Sequence, residues 1–311
     1  MSERYVVTGA GGCIGAWVVR RLLNEGEDVV ALDVAGASRH RLRQLDADHV
    51  ASGHCDVTDR AAVVAALDGA TRVIHLAGLQ IPFCRANPSV GAAVNVVGTV
   101  NVFEAVKESG TIRGPVVFAS SVAAFAADDD GTEPHGRAGT HYGVYKRANE
   151  GTALVYFHDN GVASIGFRPY SVYGVGRDQG VTASPTWAML AAARGEPYTL
   201  SYSGTSHLQL AEDVAEACIA ASRAGFEGAR TLNLSGPCPS ITEIVDAITA
   251  AVPSAQISVD GPELPFPPRL DASAYEGVIG SPEPATPLVE GVARTIDHLR
   301  RLDAAGRLEL P

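Results

Sequence analysis

Thr8-Gly9-Ala10-Gly11-Gly12-Cys13-Ile14-Gly15 decides the fold. An apolar run, Tyr5-Val6-Val7, leads into it, and Ile14, Val18 and Leu22 follow at i, i+4, i+8, the spacing of one helix face. Gly26 then closes that helix. Gly9, Gly12 and Gly15 stand three apart. One glycine permits the tight turn, one lets a pyrophosphate approach the backbone, and one lets helix pack on strand. The helix N-terminus then faces the phosphates. A second apolar run, Val29–Asp33, ends in an acid eighteen residues beyond Gly15. The pattern of strand, glycine loop, helix, strand and acid predicts a dinucleotide site. The Asp33 carboxylate suits the adenosine ribose hydroxyls and repels a 2′-phosphate, which selects NAD over NADP. Arg39, His40 and Arg41 are read as solvated loop charges. Asp56, followed by Val57, lies where the next strand should end and is expected to reach the adenine amino group.

The rhythm continues outward. Val73–Leu76, Val116–Ala119 and Ser164–Arg168 are short, Val- or Ile-containing runs, as strands covered on both faces should be. Strand alternating with helix predicts an α/β fold, a Rossmann-like doubly wound parallel sheet. Later segments read as helices at Pro185–Arg194, Asp213–Ala224 and Ile296–Leu302, and as a strand at Thr231–Leu234. Gly174–Ser184 reads as a loop. Ser240 with Glu243 forms a capping-box pattern. The four prolines of Gly261–Pro268 exclude regular structure there. Residues 1–170 are expected to form the NAD-binding domain, with 211–236 returning to it, and 171–311 mainly a smaller C-terminal α/β substrate lobe.

Composition bounds the function. The 311 residues are 46% hydrophobic and 19% charged, which excludes a disordered chain. The net charge of −11, without a basic run, argues against nucleic acid or an anionic membrane as partner. No stretch reads as a membrane span, and Met1-Ser2-Glu3-Arg4 lacks a secretory signal's apolar core. The five scattered cysteines show neither zinc nor redox spacing, so a cytoplasmic location and no metal are expected. Asp128-Asp129-Asp130-Gly131 lacks the spaced ligands of a calcium loop.

Tyr142 and Lys146 are four apart and share one face of a helix. A phenol titrates near pH 10, and a cation beside it favours the phenolate. Such a tyrosine can exchange a substrate hydroxyl proton while hydride moves to or from a nicotinamide. The strand Val116–Ala119 ends in Ser120-Ser121, at the sheet edge where ligands bind.

In this order the motifs resemble the extended short-chain dehydrogenases/reductases, the NAD-dependent epimerase/dehydratase family. The resemblance covers most of the chain. It rests on Thr8–Gly15, Asp33, Asp56, His75-Leu76-Ala77-Gly78, Asn95–Asn101, Ser120-Ser121, Tyr142 with Lys146 and Glu150, and Arg168–Gly174. It implies that Tyr142 is the acid/base, that Ser121, four residues before Phe125, is the catalytic serine, and that Lys146 also binds the nicotinamide ribose. It further implies a cofactor-binding set comprising Gly9, Gly11, Gly12, Cys13, Ile14, Gly15, Asp33, Asp56, Val57, Leu76, Ala77, Gly78, Asn95, Ala119, Ser120, Tyr142, Lys146 and Pro169. His75 reads equally as a packed core residue or a cofactor contact. Gln80, Ser121, Tyr142, Tyr170 and Arg177 are the substrate candidates. Phe83 and Cys84 divide evenly between pocket and core. A homodimer through the helices at 89–109 and around Tyr142 follows from the resemblance alone.

Two positions depart from the family. Ser206 stands where nucleotide-sugar enzymes carry one phosphate-binding arginine, and at the second such site, Pro267-Pro268-Arg269, only Arg269 could substitute. The departure favours a smaller sugar-like substrate, with Arg177 as a carboxylate anchor or a loop salt bridge to Asp178. The expected function is NAD-dependent oxidation of a secondary alcohol or lactol. The alternative is an NAD-recycling sugar or nucleotide-sugar epimerase.

Overall fold

The computed structural model describes residues 3–35, 37, 39–234 and 236–309; Met1 and Ser2 lie outside the described residues. The strands are β1 (Arg4–Thr8), β2 (Asp28–Asp33), β3 (Ala51–His54), β4 (Arg72–His75), β5 (Val116–Ala119), β6 (Ser164–Arg168), β7 (Ser171–Tyr173), β8 (Tyr198–Leu200), β9 (Leu208–Leu210), β10 (Ala229–Asn233) and β11 (Ile257–Val259). The helices are α1 (Cys13–Asn24), α2 (His40–Gln44), α3 (Arg60–Ala66), α4 (Ile81–Ala86), α5 (Pro88–Ala92), α6 (Gly98–Glu108), α7 (His141–Asn160), α8 (Ser184–Arg194), α9 (Ala211–Arg223), α10 (Ile241–Ala251), α11 (Ala274–Ile279) and α12 (Leu288–Ala304).

Seven strands form one parallel sheet in the order β10-β6-β5-β4-β1-β2-β3. The central strand β1 pairs with β2 through Thr8↔Leu32 and with β4 through Thr8↔His75. The chain winds one way through β2 and β3 and the other way through β4, β5, β6 and β10, which opens a crevice at the carboxyl end of β1. Tyr5, Val6 and Val7 are fully buried, as a central strand between two helical layers requires. On one face α1 packs against α9; on the other α3 packs against α6. The small parallel pairs β7-β9 and β8-β11 lie outside this sheet.

The structure corrects the sequence reading in three places. β3 is exposed at all four residues and carries no apolar signature, so the sequence reading placed its end near Asp56 without assigning its residues. The last helix begins at Leu288, two turns ahead of Ile296, because Gly291 and Val292 continue its buried stripe. Third, α5, a π-helical turn at Ala93–Val97 and α6 run on as one 21-residue helix, Pro88–Glu108, long and apolar enough to cross a membrane. Pro88 reads as a breaker but occupies the first turn, where its missing N–H costs nothing. Half of this helix is buried inside the protein, with Val102, Phe103, Ala105 and Val106 in the core under β1 and β4.

The expected capping box forms: Ser240 Oγ accepts from the Glu243 N–H, and the Glu243 carboxylate accepts from the Ser240 N–H.

Candidate active site

The glycine loop is shaped by close approach. Gly9 has φ +67°, and a Cβ there would lie 2.6 Å from the Ala77 nitrogen. A Cβ on Gly15 would lie 2.3 Å from the Gly9 carbonyl oxygen, so the helix seats on the strand only without one. Gly12 differs, since a Cβ there would meet only the Gly9 oxygen at 3.1 Å and otherwise enter the cleft. No side chain caps α1 at Gly12. Its first N–H groups are therefore left for an anion.

From this loop a cleft of about 540 Å³ runs past Asp33, Val34, Asp56, Val57, Ala77 and Gly78. Asp33 is fixed by its own backbone: Oδ2 accepts from the Gly11 N–H at 2.9 Å and Oδ1 from the Val34 N–H at 2.9 Å. Asp56 lines the cleft while its Oδ1 caps the turn at Thr58. The cradle of bare N–H groups, the room at Gly12 and the acid at the end of β2 fit an NAD molecule with its ribose on Asp33.

Of the three basic residues after β2, Arg39 stays partly exposed, as a solvated loop charge would, while His40 and Arg41 turn inward. Arg39 holds Ser52 Oγ and the Asp48 carbonyl, both at 2.8 Å. His40 and Arg41 reach Asp178, and Arg41 Nη1 also holds the Gly11 carbonyl at 2.8 Å. Arg41 and His40 are drawn inward because α2 lies against the 174–180 loop.

A second chamber of about 370 Å³ joins the cleft at Gly9, Gly12 and Gly78. Ser121, Tyr142, Lys146, Pro169, Tyr170 and Arg177 all line it. Each is set by its element. β5 ends at Ala119, and Ser121 then takes extended backbone as the cap of a short 3-10 turn, its Oγ accepting from the Ala123 N–H at 3.1 Å. Thr140 caps α7 through the Gly143 N–H, which starts that helix so that Tyr142 and Lys146 point to the same chamber. Lys146 is buried, lies 5.4 Å from the centre of the Tyr142 ring and donates to the Ala119 carbonyl at 2.7 Å. Burial brings its pKa down to about 8. Burial raises the Tyr142 phenol, opposed by a hydrogen bond to Ser121 and by the charge of Arg177. The charge of Arg177 thus joins that of Lys146, the cation the sequence reading set beside the phenol.

Arg177 lines both cavities and donates to Thr182 Oγ1 at 2.8 Å. Its buried Nε has no partner among the described residues. Asp178 is taken by Arg41 and His40, so the loop salt bridge considered for Arg177 does not form. Gln80 also lines both cavities.

Other positions serve the frame. His75 is a core residue: Nδ1 meets Thr8 Oγ1 at 2.7 Å and Nε2 meets Thr99 Oγ1 at 3.1 Å. Asn95 is fully buried in the π-helical turn, behind Gly78, and lines neither cavity. Ser120 lines the chamber but turns its hydroxyl onto Glu150. Phe83 edges the cofactor cleft, whereas Cys84 is buried with its thiol on the Leu79 carbonyl. Asp129 accepts from the backbone of Ala126, His135 and Gly136, so the Asp128–Gly131 turn closes on itself. Sequence reasoning missed Arg41 and Thr182, and also Leu264 and Phe266 in the four-proline stretch, which line the chamber. Only their neighbours in space mark them.

The fold and its cavities define a dinucleotide-dependent α/β enzyme. The family model for the NAD dependent epimerase/dehydratase family matches residues 5–235, and the chain belongs to that family. It is an NAD-dependent enzyme of the extended short-chain dehydrogenase/reductase type. A UDP-glucose 4-epimerase of Mycolicibacterium smegmatis is 29% identical, over 96% of this chain and 98% of its own length. A uronate dehydrogenase of Pseudomonas syringae pv. tomato is 29% identical, over 53% of this chain and 58% of its own. Among solved structures, a Thermus thermophilus UDP-glucose 4-epimerase complex with NAD is 25% identical with TM-score 0.77, covering 96% of this chain and 99% of that one.

Proposed function

We propose that this protein is an NAD-dependent dehydrogenase of a secondary alcohol or lactol in a small, sugar-like substrate. The observation that carries the reading is one chamber holding Ser121, Tyr142 and Lys146 with Arg177, but neither Ser206 nor Arg269. Ser206 is buried elsewhere and Arg269 is exposed, so neither position where nucleotide-sugar enzymes carry a phosphate-binding arginine supplies one to the lining, whose arginines are Arg85 and Arg177.

Bound NAD supplies the hydride acceptor. Ser121 donates to the substrate oxygen and fixes the carbinol. Tyr142 takes the hydroxyl proton as general base. Lys146, titrating near pH 8, holds the ribose hydroxyls and passes the proton on. Arg177 binds a substrate carboxylate and steadies the phenolate. Asp33 reads the adenosine ribose.

The similarity along the whole chain to a UDP-glucose 4-epimerase supports a second reading, an epimerase that uses the same residues and recycles its NAD. One assay separates the two. The purified protein is mixed with NAD and free sugars, uronates or nucleotide sugars, and NADH absorbance is followed. Accumulating NADH is expected; inverted product without NADH establishes the epimerase instead. Tyr142→Phe should lower turnover by roughly 10²–10⁴-fold while NAD still binds. Undiminished turnover would refute its role.

We assign a homodimer as well. Val90 and Val97 on the 88–108 helix, and Val144, Leu154 and Val155 on α7, are all about half exposed, a density of apolar surface that suits a helical interface. Light scattering on the eluted protein should give twice the 32.3 kDa chain mass. The five free cysteines suit a reducing cytoplasm, where we place the enzyme.

A further inference from the structure

Existing bonds occupy some of the polar groups that line the substrate chamber. Thr140 Oγ1 accepts from the Gly143 N–H and Thr182 Oγ1 from Arg177, so each keeps its own O–H to donate. Ser120 is spent on Glu150 and Lys146 on the Ala119 carbonyl. With Ser121 and Tyr142 on the reacting oxygen, Gln80, Arg85, Arg177, the O–H groups of Thr140 and Thr182, and the Tyr170 hydroxyl, which has no partner among the described residues, remain. A sugar or uronate carries a hydroxyl on nearly every carbon, and a buried hydroxyl without a partner is costly.

The rest of the lining is hydrocarbon. Ile81, Pro82, Val122, Val181, Leu264 and Phe266 all face the chamber. Val122 directly follows Ser121, and Leu264 and Phe266 pack against the cluster that contains it. Phe266 stands edge-on to Tyr170, with centroids 6.1 Å apart at 88°. The apolar wall therefore begins beside the serine that would hold the reacting oxygen.

We infer that this wall is a subsite for a hydrocarbon arm, so that the substrate is a secondary hydroxy acid bearing an alkyl or aryl group near the carbinol, its carboxylate on Arg177, and not a fully hydroxylated sugar. The inference rests on the dehydrogenase reading and replaces its sugar-like substrate with a less hydroxylated acid. Tyr142 takes the hydroxyl proton and bound NAD would supply the acceptor for the carbinol hydride, so the balance is keto acid, NADH and a proton. A hydroxyl-rich ring placed there would strand its oxygens against Phe266 and Leu264, whereas a methylene group gains by leaving water.

The test uses the NAD-loaded Tyr142→Phe protein, in which binding is read by calorimetry without turnover. The probes are 2- and 3-hydroxy acids with methyl, propyl and phenyl arms, and a uronate. Affinity should tighten at least about tenfold from methyl to phenyl, since one methylene in an apolar pocket is worth roughly 10–200-fold in discrimination. Phe266→Ala should flatten that series. Val181→Asn, at a position 58% exposed and so without a folding burden, should flatten it too. A flat series in the parent protein, no binding, or a uronate held more tightly than the phenyl acid overturns the inference. The unmutated enzyme is then run with the same acids and NAD. A steep affinity series without NADH keeps the apolar subsite and removes the dehydrogenase; NADH with a flat series does the reverse.

Discussion

Asp178 takes two edges of the Arg41 guanidinium: Nη2 meets Oδ1 at 2.5 Å and Nε meets Oδ2 at 3.1 Å. Both side chains are about nine-tenths buried. The same guanidinium holds the Gly11 carbonyl and the Gly176 carbonyl, so one cation ties the glycine loop to the 174–180 loop across the cofactor cleft. Arg41→Met leaves Asp178 buried with His40 as its remaining basic partner in the pair network. Breaking a buried pair from one side costs about 3 kcal/mol or more. The variant should unfold at lower urea concentration and bind NAD more weakly. A calorimetric NAD affinity equal to that of the parent would show that the tie does not shape the cleft.

Arg177 is the second electrostatic lever. Its charge favours the Tyr142 phenolate against the burial that raises the phenol. Removing the charge in Arg177→Gln therefore raises the phenol further. Alcohol oxidation needs the deprotonated phenol, so the alkaline rise of kcat should move to higher pH in the variant. KM for an acidic substrate should rise as well, because an ionic hydrogen bond is lost. The check is a pH profile of kcat in the oxidation direction; an unshifted limb would limit Arg177 to binding.

Glu150 organises the floor of the chamber. Its carboxylate accepts from Ser120, and from Arg168 through Nε at 2.9 Å and Nη2 at 2.8 Å. Arg168 is itself buried and reaches Glu133 and Asn233 on either side. Glu150→Leu would leave this guanidinium with the half-exposed Glu133 as its carboxylate partner. A loss of about 3 kcal/mol is expected, at the lower end for a broken buried pair. Glu150→Gln, which can still accept from Ser120, should lose less and keep most of the activity. Equal denaturant midpoints for the two variants would refute the account.

Backbone-determined features were legible in the sequence. The glycine loop, Asp33 and the pair Tyr142 and Lys146 are each fixed within one strand, one turn or one helical face, where spacing alone carries the geometry. Contacts between distant segments arise differently. Arg41 finds Asp178 across 137 residues, and Phe266 reaches the chamber from a stretch whose prolines announce only the absence of regular structure. No local periodicity encodes such meetings. His75 sits between these cases: its place at the end of β4 was readable, but whether it faces the cofactor depended on Thr99, a helix away.

His75 also sets an acid limit on stability. Burial, reinforced by the charge of Lys146, lowers its pKa from 6.5 to about 3. Above pH 6.5 the imidazole is neutral in both the folded and unfolded chains. Below that, the unfolded chain gains a proton that the folded one refuses until near pH 3, so stability is lost as pH falls through this window. At about 1.4 kcal/mol per pH unit, the descent from pH 7 to pH 5 should cost roughly 2 kcal/mol from this residue. His75→Gln keeps a hydrogen-bonding side chain between Thr8 and Thr99 but cannot titrate. Its urea midpoint at pH 7 will be lower, because the fit is poorer, yet its fall from pH 7 to pH 5 should be smaller than the parent's. Parallel declines in the two proteins would mean that the buried imidazole accepts its proton without unfolding.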